Sequence, residues 1–280
     1  MTVRRGFVEV GVGQVHYRYA GGGKGRPLVM LHASPGSSMM IEPLLRMFAA
    51  SRAVYALDTL GNGDSSPPRE HAPDLSVFVM AHLEAIDALG LREFDLYGSH
   101  TGGNIACEIA LARPESVHHL VLDGMSLYAP DERDDMLRNY APPVLLRDDG
   151  THLAYLWNFV RDTFLFWPWY KRDADHVRAV GLPDVGTLHD KVVEVIKASR
   201  TFHLSYNAAI AYEKEARLPL VAVPTLLTCA RADMLLPYLD AVAALMPRAK
   251  TLVTLGFQSA AAADETITLM TAFLDDRSVA

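Results

Sequence analysis

The sequence predicts an α/β fold: a doubly wound, mostly parallel sheet with an inserted helical cap. Two features predict it. Short, β-rich apolar runs alternate with helical runs over residues 1–125, and the same alternation resumes from residue 219. Because βαβ crossovers are right-handed, this alternation builds a parallel sheet with helices on both faces. We therefore predict one core from residues 1–125 and 219–280, with residues 126–218 as a cap inserted into it.

The core elements follow one another in a regular order. An antiparallel hairpin with a glycine-containing turn opens the chain, with strands at Phe7–Val10 and Gln14–Tyr19. Apolar runs typical of strands buried on both faces follow at Pro27–Leu31, Ala53–Leu57, Phe94–Tyr97 and Val117–Leu122. Helical runs separate these strands at Met39–Ala50, Leu75–Leu89 and Thr101–Ala112. After the cap, two further strands each precede a helix, in the order Pro224–Ala230, Tyr238–Leu245, Thr251–Leu255 and Asp264–Leu274.

The predicted cap differs in composition from the core. It is charged and helical, and its aromatic residues cluster in Ala154–Tyr170, which contains all three tryptophans of the chain. Part of this cluster should form the core of the cap. Because a cap of this size must also present a face to a ligand pocket, we expect Trp157, Phe166 and Trp167 to line it.

Composition limits the partners of the protein. The net charge is −7, and no run rich in lysine or arginine is present, which argues against nucleic acid or an anionic membrane as the main partner. With 50% hydrophobic residues the chain can bury a sizeable core. A small-molecule substrate is therefore the expected partner, and a homodimer is left open.

The chain carries no targeting or cofactor signature. Its start, MTVRRGFVEV, has no apolar segment or cleavage site typical of a signal peptide, and its apolar runs fall short of the roughly 20 residues that span a bilayer. Cys107 and Cys229 lack metal-type spacing and are most simply buried thiols of a reducing compartment. We expect a cytoplasmic protein with no metal and no cofactor.

The stretch Leu96–Gly103, LYGSHTGG, lies where a predicted buried strand gives way to a helix. A tight strand-to-helix turn that exposes one side chain needs small residues two positions before and two positions after it. Gly98 and Gly102 meet this condition for His100. Centring the turn on Ser99 would instead place Tyr97 and Thr101 in the crowded positions. The exposed residue of the elbow is therefore predicted to be His100, with Ser99 beside it.

Four motifs in order give the chain a family resemblance. LHASPGS at Leu31–Ser37 is similar to an oxyanion loop, and LDTLGNGDS at Leu57–Ser65 is similar to D-x-x-G-x-G-x-S. The elbow follows, and ARADMLLP at Ala230–Pro237 is similar to an acid-bearing G-x-x-D-x-x-x-P. The chain resembles the α/β-hydrolase superfamily, in the capped branch that includes meta-cleavage-product hydrolases, esterases and haloalkane dehalogenases. The resemblance covers nearly the whole chain.

The departures from the family pattern fall on its catalytic positions. His100 occupies the place of the nucleophile, Gln258 occupies the place of the general-base histidine, and Asp233 alone matches. An acyl-serine mechanism therefore does not follow. The family's oxyanion hole implies a role for the backbone N–H of Thr101 together with that of Ala33 or Ser34.

Three functions remain for such a site. In the first, an atypical ester or carbon–carbon hydrolase acts on a small, largely apolar carbonyl compound, with His100 as general base. Asp123 at the end of the neighbouring strand is then the favoured orienting acid, with Asp233 as the alternative. The second is a cofactor-free lyase or isomerase, and the third is a ligand-binding protein without catalysis.

Structural roles compete with these assignments. His100 could fill a site that has lost its chemistry, and Asp123 could serve a turn before Gly124. Gln258 could hold the vacated histidine position by hydrogen bonds. We favour a structural role for His32, with its ring bonded to backbone near the oxyanion loop.

Overall fold

A computed structural model describes residues 2–277 of the chain. Within this range an eight-stranded sheet has the order β1-β2-β4-β3-β5-β6-β7-β8. The strands are β1 (Arg4–Val10), β2 (Gly13–Ala20), β3 (Gly25–Leu31), β4 (Arg52–Leu57), β5 (Phe94–Ser99), β6 (Val117–Asp123), β7 (Thr225–Ala230) and β8 (Lys250–Thr254). The core helices are α1 (Glu42–Phe48), α2 (Leu75–Ala88), α3 (Thr101–Ala112), α9 (Leu239–Leu245) and α10 (Ala260–Leu274).

The sheet is mostly parallel. β1 pairs with β2, and β2 with β4, in antiparallel fashion, whereas every pairing from β4 through β3, β5, β6 and β7 to β8 is parallel. The predicted hairpin, the predicted core strands and the helices between them are all present, with ends that move by a few residues. The predicted fold class is confirmed.

The buried strands divide their side chains between two hydrophobic clusters. In β3, Val29 and Leu31 pack with α2 and α3, whereas Leu28 and Met30 pack on the opposite face with α1 and α10. All four are fully buried. This alternation is the period-two arrangement of a strand, and it accounts for the continuous apolar run because both faces are covered by helices.

Residues between β6 and β7 form helices and no strand of the main sheet. These helices are α4 (Pro130–Asn139), α5 (Thr151–Leu165), α6 (Val185–Lys197), α7 (Phe202–Ala211) and α8 (Lys214–Arg217). They enclose a hydrophobic cluster of their own, in which Phe159 stacks on Phe202 and lies edge-on to Trp169. β6 pairs directly with β7, so the sheet continues across this segment. An insertion is consistent with this order, and the boundaries at 126 and 218 remain a prediction.

No helix within residues 2–277 is both long enough and apolar enough to cross a membrane.

The parallel strands bring the candidate residues to one edge of the sheet. His32 follows β3, His100 follows β5, and Asp123 ends β6. Asp233 follows β7, and Gln258 follows β8. Because the carboxyl ends of parallel strands share an edge, residues far apart in sequence line one crevice there.

Candidate active site

The elbow is built as the glycine spacing predicts. β5 ends at Ser99, α3 begins at Thr101, and His100 between them has φ 50° and ψ −110°. A Cβ on Gly98 would lie 2.4 Å from the carbonyl oxygen of Gly102, and a Cβ on Gly102 would lie 2.4 Å from that of Leu31. A residue other than glycine at positive φ costs of order 1–3 kcal/mol, so the surrounding packing must hold His100 in this conformation.

A third glycine makes room for the imidazole. Gly124 follows β6 with φ 69°, and a Cβ at this position would lie 2.6 Å from Nε2 of His100. A side chain there would therefore be strained in its backbone and would collide with the ring. The glycine after Asp123 thus serves the elbow histidine.

The imidazole of His100 is bonded to Asp233 rather than to Asp123. Nε2 of His100 lies 3.0 Å from Oδ2 of Asp233. The other carboxylate oxygen of Asp233 accepts the backbone N–H of Leu235 at 2.8 Å. The expected pair of Asp123 with His100 is therefore not formed, and the aspartate that we held as the alternative is the partner.

Asp123 is engaged elsewhere. Its Oδ2 accepts the hydroxyl of Tyr97 at 2.7 Å, and its backbone carbonyl accepts the N–H of His100 at 2.9 Å. In the sheet Asp123 is paired with Ser99 across β5 and β6. This register brings its main chain to the elbow, while its carboxylate is bonded to Tyr97. Its role is thus more than that of a turn residue before Gly124, because it anchors the elbow backbone.

Charge interactions fix the protonation pattern of the pair. Burial raises the pKa of Asp233. The charge and the hydrogen bond of His100, together with the backbone N–H of Leu235 and the charge of Arg178, lower it more, so the pKa is below its ordinary value. Burial lowers the pKa of His100, but Asp233 and then Asp123 raise it more, so the net pKa is above its ordinary value. An ionised Asp233 accepts the proton on Nε2, which leaves the lone pair of a neutral His100 on Nδ1. No hydrogen-bond partner for Nδ1 occurs among residues 2–277.

Burial raises the pKa of Asp123 to about 6. The hydrogen bond from Tyr97 opposes this rise, and the nearby carboxylate of Asp233 adds to it. Asp123 is consequently a second carboxyl group near the imidazole. Unlike Asp233, it titrates close to neutrality. It acts on His100 through its charge and through the backbone.

The loop Leu31–Ser37 packs against the elbow. A Cβ added to Gly102 would lie 2.7 Å from the carbonyl oxygen of His32, so the start of α3 adjoins the loop. Thr101 is the first residue of α3, a position whose backbone N–H has no acceptor within the helix. Among residues 2–277 the backbone N–H groups of Ala33 and Ser34 have no backbone acceptor. These amides are therefore available to a ligand in the cavity.

His32 is held by backbone on both sides of its ring. Its Nε2 accepts the N–H of Thr59 at 2.9 Å, so Nδ1 carries the proton and donates to the carbonyl of Ala33 at 2.8 Å. Burial lowers its pKa, and the side chain is 1% exposed. The structural role favoured for His32 agrees with these bonds. The hydroxyl of Ser34 lies 2.9 Å from that of Ser205 in α7, which joins the loop to the cap.

One cavity of about 450 Å³ contains most of the predicted site. The predicted residues that line it are His32, Ala33, Ser34, His100, Thr101, Trp167, Asp233 and Gln258. Gln258 is exposed in the loop after β8, and its side chain makes no hydrogen bond within the described part of the chain. The expectation that it holds the vacated histidine position by hydrogen bonds therefore finds no support.

Two of the three predicted cap residues do not line this cavity. Trp157 is 42% exposed, because it lies on the side of α5 away from the buried Phe159. Phe166 lies beyond the end of α5, in an isolated bridge with Val177. Phe159 and Phe164 line the cavity instead. Composition located the aromatic segment but could not tell which face of α5 is turned inward.

Two cations in the cavity were not predicted from sequence. Both Arg178 and Lys191 line it. Arg178 lies just after a short 3₁₀ segment at Ala174–His176, and Lys191 lies in α6. In the sequence they are two basic residues among many in a charged segment. No local motif distinguishes them.

A possible metal-binding group lies outside the cavity. Side chains of His16, Asp58 and Asp64 come within 4.8 Å of one another, and they form the one such group found in residues 2–277. Asp58 already accepts from the backbone N–H groups of Ser38 and Asp64, and its Oδ2 lies 2.8 Å from Nδ1 of His16. Its bonds anchor the loops after β3 and β4. Hydrogen bonding within the protein therefore accounts for the short distances between these three side chains.

Comparison with curated sequences gives partial matches. A 2-hydroxymuconate semialdehyde hydrolase from Pseudomonas sp. (strain CF600) is 40% identical over 105 residues, which cover 36% of this chain and 37% of that protein. A proline iminopeptidase from Heyndrickxia coagulans is 32% identical over 136 residues, covering 48% and 47% respectively. The chain thus spans less than half the length of each of these relatives.

Comparison with solved structures extends over the whole chain. Epoxide hydrolase A from Mycobacterium thermoresistibile superposes with a TM-score of 0.76 at 18% identity, covering 100% of both chains. At this identity the likeness shows the fold alone. The family model for the alpha/beta hydrolase fold matches residues 26–257, which is most of the chain. The protein belongs to the α/β-hydrolase family.

Proposed function

We propose that the protein is an atypical hydrolase in which His100 acts as general base. Asp233 orients the imidazole, and the backbone N–H group of Thr101, together with that of Ala33 or Ser34, stabilises the oxyanion that forms on a substrate carbonyl. The substrate is a small, largely apolar carbonyl compound held under a cap formed by residues 126–218. This reaction needs no acyl-serine intermediate.

The observation that carries the proposal is the bonding of the His100 ring. One nitrogen bonds to Asp233 at 3.0 Å, the other has no partner among the described residues, and the side chain is 25% exposed in the cavity. A space-filling histidine would have both nitrogens bonded to protein, as His32 has. The free nitrogen of a neutral imidazole is the atom that accepts a proton.

The proton and electron pairs can be followed through the reaction. Nδ1 of His100 takes a proton from water, and the resulting hydroxide attacks the carbonyl carbon as the carbonyl electron pair moves to oxygen. The two backbone N–H groups stabilise this oxyanion, and Asp233 stabilises the imidazolium. When the oxyanion collapses, the bond to the leaving group breaks and His100 returns its proton to that group.

Hydrolysis is supported by the names of some relatives and by the lining of the cavity. The two curated relatives described above are named as hydrolytic enzymes, a semialdehyde hydrolase and a peptidase, whereas others at 34–35% identity are named as acyltransferases. The cavity lining adds Phe159, Phe164 and Trp167, which suit an apolar substrate body.

A lyase or isomerase remains the second candidate. The same free nitrogen would then take a proton from a substrate carbon, and the same amides would stabilise an enolate. The two reactions differ in their use of water. Turnover in ¹⁸O-labelled water should place the label in the product of a hydrolase and should leave the product of an isomerase unlabelled.

The proposal is tested by a screen of esters, lactones and β-diketones, followed by turnover with His100→Ala on any substrate found. Activity that is unchanged in His100→Ala would refute the assignment of the base. A fluorophosphonate probe should not label the protein, since the exposed residue of the elbow is not serine. Stoichiometric labelling of Ser99 would mean that a serine nucleophile operates after all.

A further inference from the structure

A second cavity lies behind helix α7, on the side away from the candidate active site. It has a volume of about 860 Å³ and is lined by residues of α2, α3, α4 and α7. Along α7, Tyr206 and Ile210 line the candidate active site, whereas His203, Asn207 and Ala211 line the second cavity. Residues four positions apart lie on one face of a helix, and no described residue lines both cavities. α7 is therefore a wall between two separate cavities.

The walls of the second cavity are largely apolar. They include Leu75 and Val79 of α2, Leu137 of α4, and Leu204 and Ala208 of α7. Sites for small organic molecules are clefts of roughly 300–1,000 Å³ with apolar walls and a few polar groups. The volume and the walls therefore suit a small molecule with an apolar body.

Two charged groups of this cavity neutralise each other. The carboxylate of Glu108 accepts Nε and Nη2 of Arg217 at 2.7 and 2.8 Å, and the hydroxyl of Tyr212 at 2.6 Å. Arg217 is the one lysine or arginine among the described residues that line the cavity. Burial lowers the pKa of His203, so this ring is neutral at pH 7 and adds no positive charge. The lysine and arginine charge of the lining is therefore already committed to a carboxylate.

Three other side chains of the lining present acceptors that lack a donor. Nδ2 of Asn207 donates to the carbonyl of Ala141 at 3.4 Å, while its Oδ1 is buried and has no partner within residues 2–277. Glu213 is exposed, and its carboxylate has no hydrogen bond or ion pair in the same range. Asp74 uses Oδ1 alone, which accepts the N–H and the hydroxyl of Ser76. Because a buried acceptor without a donor is costly, a ligand that donates to these groups gains affinity.

We propose that the second cavity binds a small organic ammonium ion with an apolar body. An ammonium group has up to three N–H donors and no acceptor, which complements the acceptors of Asn207, Glu213 and Asp74. The lining has three carboxylates against one guanidinium, so it attracts a cation and repels an anion. The candidate active site differs, since Arg178 and Lys191 line it. The second site goes beyond the proposed function and does not depend on it.

Binding is measured with two probes that match in shape and differ in charge, 2-phenylethylammonium and 2-phenylethanol. Isothermal titration at pH 7 should show that the wild-type protein binds the ammonium ion about tenfold more tightly than the alcohol. The reason is that hydrogen bonds in which one partner is charged are the stronger kind.

Two substitutions assign this binding to the second cavity. Ala211 is an exposed residue at the end of α7, so Ala211→Trp can fill the cavity without repacking the core and should abolish binding of the ammonium ion. Glu213→Gln removes an unpaired carboxylate and should reduce the preference for the ion to about threefold or less. Glu215→Gln is the matched control. It removes the same charge from an exposed residue two positions further along, outside the lining, and should keep the full preference.

The proposal is overturned if the wild type binds the alcohol as tightly as the ammonium ion, or binds neither probe. It is also overturned if a folded Ala211→Trp binds the ion as the wild type does, or if Glu213→Gln and Glu215→Gln show the same preference. Thermal unfolding checks that each variant is folded, and the two glutamate variants decide the matter should the tryptophan variant not fold. None of these three residues lines the candidate active site, so the outcome is separate from that of the proposed function.

Discussion

His32 and His100 line the same cavity, yet their surroundings differ. His32 is fully enclosed, and each of its ring nitrogens is bonded to a backbone group. His100 is partly exposed at a strained turn, with one nitrogen bonded to a carboxylate and the other without a partner among the described residues. The pKa of His32 is lowered by burial, whereas that of His100 is raised by its acidic neighbours.

The difference separates a histidine that holds a loop in place from one whose ring has a nitrogen free to accept a proton, as the proposed function requires. A ring whose two nitrogens are both bonded has no atom to offer a substrate. A ring held at one nitrogen by an ionised carboxylate has a defined tautomer and a free lone pair. Hydrogen-bond partners, more than burial or location, distinguish the two roles.

The largest effect expected from this comparison is on turnover at His100. His100→Gln should lower kcat by about 10²- to 10⁴-fold, the usual cost of losing a general base. The fold should be retained, because glutamine is of similar size. Steady-state kinetics on a substrate from the screen measures this, and His32→Gln is the matched comparison. An equal loss of kcat in both variants would remove the distinction between the two histidines.

The partner of His100 should have the next largest effect. In Asp233→Asn an amide replaces the ionised acceptor and no longer enforces the tautomer with its lone pair on Nδ1. We expect a loss of kcat of up to about 10⁴-fold, no larger than the loss of the base itself, because asparagine in this place imposes the wrong tautomer. The acid limb of the pH–rate profile should also move to lower pH, since Asp233 raises the pKa of His100. A larger loss in Asp123→Asn would restore Asp123 as the orienting acid.

For the free energy of unfolding the order of the two histidines should be reversed: substitution of His32 should cost more stability than substitution of His100. His32→Leu leaves the buried N–H of Thr59 and the carbonyl of Ala33 without their partner, at a cost of about 1–3 kcal/mol for each group that stays dry. His100→Leu removes one bond from a partly exposed ring and should change the free energy of unfolding by less. Urea denaturation of both variants gives the comparison. A greater loss of stability in the His100 variant would contradict it.

The fold and the elbow could be predicted because local sequence determines them. Continuous apolar runs specify strands covered on both faces, and the glycines at 98 and 102 are required by contacts of 2.4 Å in the structure. The spacing therefore identified His100 as the exposed residue, although a serine lies next to it, directly after Gly98.

The side-chain partners could not be predicted, because they depend on distances across the sheet. Asp123 ends β6 and Asp233 follows β7, so both lie at the edge of the sheet that carries the elbow, and the sequence contains no information about which carboxylate reaches the ring. The hydroxyl of Tyr97, one strand position before Gly98, engages Asp123. The same limit applies to the cap, where the rotation of α5 turns Trp157 outward, and where Arg178 and Lys191 become neighbours only through folding.

The smallest expected effect concerns the second carboxyl group. Asp123 raises the pKa of His100 by its charge, and above about pH 6 it is ionised. A general base works when unprotonated, so activity should rise with pH through the pKa of His100. Asp123→Asn removes the negative charge, lowers that pKa, and should shift the acid limb of the kcat/KM profile to lower pH by roughly half a unit to one unit.

Tyr97→Phe tests the same carboxyl group without removing it. Loss of the hydroxyl deletes a hydrogen bond that lowers the pKa of Asp123, so its carboxyl group should stay protonated to higher pH. The titratable groups that interact with Asp123 are Tyr97, His100, Asp233 and Cys229. Near pH 6 the variant should therefore resemble Asp123→Asn, and near pH 8 it should resemble the wild type. Profiles that coincide in all three proteins would mean that the charge of Asp123 does not reach the base, and that its backbone bond to the elbow is its whole contribution.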